Sequence, residues 1–68
     1  MWSLFRDPVV LTFVDEDDRR VAEITNPAVV PRVGENVRLA NKPYVVVRVG
    51  YDVPAEDVAA IWIVCRPA

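Results

Sequence analysis

Sixty-eight residues with a formal charge of −2, one cysteine and no histidine are enough for one small domain and exclude several classes of protein. An internal disulfide and a histidine-based metal staple are both ruled out, and the acidic balance gives no global pull towards polyanions. A chain this short is marginal without such aids, so its stability must rest on core packing or on self-association.

In chain order, Met1–Asp7 (MWSLFRD) carries Trp2, Leu4 and Phe5, too many large apolar groups for a free tail. The reading favoured for residues 1–7 is a plug beneath a barrel; the alternative is an arm reaching a neighbouring subunit. The apolar start is too short for a signal peptide or a membrane span and is followed at once by Arg6 and Asp7. With a lone strand cysteine, this predicts a cytoplasmic protein.

Residues 8–25 predict a hairpin. Pro8–Val14 is a strand in which Val9, Leu11 and Phe13 share a face, and Arg19–Thr25 is the return strand. Between them lie Asp15, Glu16, Asp17 and Asp18. A calcium loop needs a set spacing, a glycine and a distal glutamate, which are missing, and Arg19 and Arg20 follow directly. A solvated turn is expected, with no metal and no cofactor. Residues 26–35 form a connection stiffened by Pro27 and Pro31, with Gly34 expected at positive φ and Arg32 and Glu35 as weak contact candidates.

Residues 36–67 predict three successive antiparallel strands: a short one through Val37–Leu39, then Tyr44–Tyr51 and Ala59–Arg66, the last two dense in β-branched and aromatic residues. Asn41-Lys42-Pro43 is expected to join the first pair, and Asp52–Val58, with a helical turn in its PAED segment, the second. The register that follows sets Ala40 opposite Tyr44, Arg38 opposite Val46 and Asn36 opposite Arg48. It also sets Tyr51 opposite Ala59, Arg48 opposite Trp62, Val46 opposite Val64, and Tyr44 opposite Arg66. One face then carries Val37, Leu39, Val45, Val47, Val49, Ile61, Ile63 and Cys65, the expected core. The outer face carries Arg38, Tyr44, Val46, Arg48, Trp62, Val64 and Arg66.

No nucleophile–base pair can be assembled without histidine and with Cys65 inside a strand, and no Gly-rich phosphate loop exists. The chain reads as not an enzyme. The outer face is its one candidate site, with Arg38, Tyr44, Val46, Arg48, Trp62 and Arg66 as partner-binding residues and Arg48–Trp62 and Arg66–Tyr44 as cation–π pairs. Three readings compete for it: cover by the chain's own Met1–Phe5 or long loop, a protein interface with itself or a foreign partner, or a nucleic-acid platform of stacking aromatics and arginines. The protein interface is favoured over nucleic acid because the domain is acidic, and a homo-oligomer is compatible with it. No membrane partner is expected.

Pro31-Arg32-Val33-Gly34-Glu35, then Val37 and Leu39, then Tyr44-Val45-Val46-Val47 and Val49 resemble the P-x-x-G-(D/E)-x-V-x-L…Y-x-V-x-x-V rhythm of small SH3-like barrels in bacterial and phage proteins of uncharacterised function. The likeness covers about the last half of the chain. It implies an all-β, five-stranded, mostly antiparallel SH3-like barrel and a bacterial or phage source, in keeping with basic residues that are all arginine except Lys42. It carries over no functional residue. A further reading, a connector or tail component of a phage particle, rests on fold analogy.

Overall fold

The computed structural model describes residues 8–53 and 60–68. The plug or arm expected at 1–7 and the helical turn expected at 54–57 lie outside the described residues. Five strands are present: β1 (Val10–Val14), β2 (Arg20–Thr25), β3 (Asn36–Leu39), β4 (Lys42–Asp52) and β5 (Ala60–Pro67). They form one mixed sheet in the order β2-β1-β5-β4-β3, curled into a nearly closed barrel. Neighbours are antiparallel except β1 and β5, which run parallel. There is no helix among the described residues, and the architecture is consistent with a small SH3-like barrel.

Alternation builds the core. Leu11 and Phe13 of β1, Leu39 of β3, Val46 of β4, and Ile61, Ile63 and Cys65 of β5 are buried together. Each such aliphatic or aromatic side chain contributes about 1.5–3 kcal/mol when fully removed from water. Val9, Val21, Ala22, Val30, Val37, Tyr44 and Val49 pack against this cluster.

The acidic turn is held by its first residue. Asp15 Oδ1 accepts hydrogen bonds from the backbone N–H groups of Asp17 and Arg19, each at 2.9 Å. Asp18 N–H donates to the Asp15 carbonyl at 3.0 Å, and Asp18 takes φ 66°. This is a tight turn followed by one left-handed residue, a common three-residue hairpin loop, and a short polar side chain tolerates that conformation. One carboxylate of the acidic run is thus committed to the turn, and the exposed Glu16, Asp17 and Asp18 form the solvated tip. Among the described residues no group of three or more acids and thiols is arranged to hold a metal.

The connection is ordered by polar side chains at both ends. Asn26, at φ 53°, exchanges hydrogen bonds with Val9: its N–H donates to the Val9 carbonyl at 2.7 Å and its Oδ1 accepts the Val9 N–H at 3.1 Å. At the far end Glu35 N–H donates to the Arg32 carbonyl at 3.0 Å, and the Glu35 carboxylate accepts the Arg32 N–H at 2.7 Å. Gly34 has φ 92°, the value a type II turn demands at that position. Glycine and glutamate in the P-x-x-G-E segment therefore close a turn, and Glu35 is engaged within it.

The last three strands differ from expectation in their turn and register. The loop between β3 and β4 is Ala40-Asn41, both at positive φ (53° and 66°), so Leu39 faces Lys42 and Val37 faces Tyr44. Such a two-residue turn matches the natural twist of the strands, whereas the three-residue loop over Asn41-Lys42-Pro43 is not formed. Pro43 instead lies within β4 opposite Arg38. Because the closing Leu39–Lys42 pair of a two-residue hairpin takes the hydrogen bonds, Pro43 falls at a position where β3 needs no N–H from it. Its carbonyl accepts the Ala68 N–H at 3.1 Å.

Further along β4 the register with β5 shifts between Val46 and Arg48. Val46 faces Cys65 and Arg48 faces Val64, leaving Val47 as the extra residue of a β-bulge. An extra residue exchanges the faces of everything beyond it. Tyr44 and Val46 therefore point inward on one side of the bulge, and Val49 points inward on the other.

Candidate interaction surface

The six residues assigned to one outer face divide between two faces. Arg48, Trp62 and Arg66 lie outside as expected, and Arg38 does too, on edge strand β3 with a guanidinium nitrogen donating to the Asn41 carbonyl at 3.4 Å. Tyr44 and Val46 do not. Val46 is 1% exposed and Tyr44 packs on the core, because the short turn and the bulge set their face with Val37 and Leu39. Val45, expected in the core, instead pairs with Arg66 on the outside. The Arg66–Tyr44 pair is excluded on this geometry: Tyr44 faces Pro67, and Arg66 is on the opposite side of the sheet.

Arg48 and Trp62 stay together, by a different route. Arg48 is directly opposite Val64, and Trp62 is opposite Gly50. The indole covers the glycine: a Cβ built at position 50 would sit 3.3 Å from Cε3 of Trp62. Glycine in a strand interior often marks such a close approach, and that was the available signal in the sequence. On its other side Trp62 is aligned with Thr12 of β1 through the parallel β1–β5 ladder.

Trp62 remains 45% exposed and borders a depression of about 330 Å³ lined by Val14, Asp18, Arg48, Gly50, Trp62 and Val64. Val14 and Val64 are neighbours in the parallel ladder and form its apolar floor. Asp18 comes from the hairpin turn, where its left-handed backbone brings the acidic tip to the rim. The surface thus combines an aromatic plate, an apolar floor, one base and one acid. Reading β5 and β4 alone gives Arg48 and Trp62; Val14 and Asp18 join them only through the β1–β5 pairing.

Cys65 is fully buried, and its Sγ lies 3.8 Å from the Ile63 carbonyl. Burial raises the pKa of the thiol, so it is a poor nucleophile where it stands. No helix of the described residues is long and apolar enough to cross a membrane. Comparison with family models, curated proteins and solved structures finds no match to this chain.

Proposed function

We propose that the chain is a non-enzymatic protein-interaction or assembly module that docks a partner on the Trp62 depression. The observation supporting this reading is the half-exposed indole laid over Gly50 beside the Val14–Val64 floor. Tryptophan and arginine in a partly desolvated hollow are the usual anchors of protein interfaces. Charge favours protein over nucleic acid as the partner: Asp18 shares the hollow with Arg48, and Asp52 lies two positions beyond Gly50 on the same face of β4. A phosphate chain would meet acids on both sides of the indole. Cys65, buried and with its pKa raised by that burial, is not the nucleophile of any reaction at this face.

Light scattering over a wide concentration range tests the self-association form of this proposal. A rise in mass with concentration that Trp62→Ala abolishes is the expected result. Gly50→Val, which displaces the indole from its seat, should weaken the association without removing the ring. A mass that rises equally in the wild type and both variants would remove this face from the interface. For a strict monomer, titration with a single-stranded oligonucleotide at low and high salt separates the readings: quenching of Trp62 that disappears steeply with salt would replace the protein partner with nucleic acid.

A further inference from the structure

Among the described residues the sheet ends at β2 on one side and β3 on the other, and no ladder joins these two edges. β3 is a poor template for another strand, because it is four residues long and carries Arg38. β2 is different. Its register with β1 shifts at Val21, which leaves a bulge there and a regular edge over residues 22–25. The phase of that ladder fixes which backbone groups face outward. Asn26 N–H donates to the Val9 carbonyl at 2.7 Å, so Val9–Asn26 is a hydrogen-bonded pair and, by alternation, so are Leu11–Ile24 and Phe13–Ala22. Glu23 and Thr25 occupy the other positions and aim their N–H and carbonyl groups away from β1. Ile24 shares a face with the fully buried Leu11, yet is itself 46% exposed because it overhangs the edge.

We infer that this edge takes the β2 strand of a second copy, antiparallel, about a two-fold axis at Ile24. Self-complementarity selects the occupant and the register together. With the axis at Ile24, Glu23 lies opposite the second copy's Thr25 and Thr25 opposite its Glu23. Each pair exchanges both N–H···O bonds, and no like charges meet. The two Ile24 side chains then face each other at a non-hydrogen-bonded position, where Cα atoms are about 4.5 Å apart, and the overhanging apolar surface is covered. An axis at Glu23 would set two carboxylates opposite each other, and one at Ala22 would call on the bulged Val21. An axis at Thr25 would reach no further pair, because Asn26 turns away at φ 53° and Pro27 has no N–H to give. Such an isologous contact closes at two copies, and it uses none of the residues that line the Trp62 depression.

The edge contact is read in full-length Trp62→Ala, where the Trp62 face makes no contribution. The mass by light scattering should rise with concentration to two copies and no further. Adding Ile24→Lys, which sets like charges on the axis, or Thr25→Pro, which removes an N–H that β1 does not use, should keep the strand circular dichroism and leave a monomer. Hydrogen-exchange protection of the Glu23 and Thr25 amides should be several-fold greater at high than at low protein concentration. In a Cys65→Ala background with oxidised glutathione, Ile24→Cys should form a disulfide-linked dimer several-fold faster than Glu23→Cys, whose thiols the register holds apart. A strict monomer, or a dimer that survives both Ile24→Lys and Thr25→Pro, would overturn the inference. So would amide protection independent of concentration, since the chain would then cover its own edge. Should a substitution disturb the fold, exchange in the unsubstituted protein and the cross-linking comparison decide, and equal cross-linking rates overturn the inference as well. None of these outcomes bears on the Trp62 reading, which fails only if association and partner binding are indifferent to residue 62.

Discussion

The two halves of β4, divided at Val47, follow the same alternation yet obey different controls. In Tyr44–Val46 the face is set from the turn: Ala40-Asn41 closes the hairpin in two residues and turns Tyr44 and Val46 onto the core. In Arg48–Asp52 the face is set by the bulge, which returns Val49 to the inside and Arg48 to the outside. Hydrophobicity does not distinguish the halves, since Val45, Val46 and Val47 are chemically identical. Their different fates come from backbone geometry at two neighbouring points. The backbone also braces this point: Val46 N–H donates to the Glu35 carbonyl and its carbonyl accepts the Gly34 N–H, each at 2.9 Å. The motif turn is therefore fastened to the strand immediately before the bulge.

The contrast is tested most strongly by paired truncations of the identical side chains. Val46→Ala should cost about 2 kcal/mol of unfolding free energy, from lost burial and the cavity left behind. Val45→Ala, on the outward side, should cost under about 1 kcal/mol. Urea unfolding of both variants measures the difference, and equal losses would mean that the two valines are not on opposite faces.

A smaller effect is expected at the turn that orients the first half. Ala40 adopts a left-handed conformation that a Cβ disfavours by roughly 1–2 kcal/mol. Ala40→Gly should relieve this strain and stabilise the fold by about 0.5–1 kcal/mol after the added freedom of the unfolded chain is counted. Ala40→Val should move stability the other way. If both substitutions were neutral, the two-residue turn would not control this half of the strand.

The smallest effect at neutral pH belongs to Cys65, which faces Val46 across the β4–β5 ladder. Burial raises its folded pKa above the ordinary value of 9.0, so above that pH the unfolded chain loses a proton that the folded chain keeps. Unfolding then becomes easier as pH rises. The stability contribution is intact below pH 9.0 and is lost as pH climbs towards the raised folded value. Subtracting the curve of Cys65→Ala isolates this slope from other alkaline titrations. The native thiol should also react with a disulfide reagent only as fast as the first half of β4 opens, and faster in Val46→Ala than in Val45→Ala.

Much of the fold was legible in local chemistry. All five strands appear where β-branched runs are bounded by turn residues, and Gly34 takes the expected positive φ. Ile61, Ile63 and Cys65 lie inside, with Trp62 and Arg66 outside, because alternation along β5 has no competing signal. The candidate site was only partly legible. Arg48 and Trp62 share the surface, but Tyr44 and Val46 were misplaced by a turn whose length depends on Ala40 accepting a left-handed backbone. The run Val45-Val46-Val47 also hides a bulge, since any of its members can serve equally well inside or outside.

By itself, the amino-acid sequence determined that the chain is an all-β protein, which residues alternate within β5, and where glycine and short polar residues turn the backbone. These are consequences of conformational preference and period, both local to a few neighbours. Only the tertiary structure decided the register of β3 on β4, the bulge at Val47 and the parallel β1–β5 pairing that brings Val14 and Asp18 to Trp62. Those choices depend on closing a sheet around one small core, where a shift of one residue exchanges two faces and the packing of all five strands selects which face is buried.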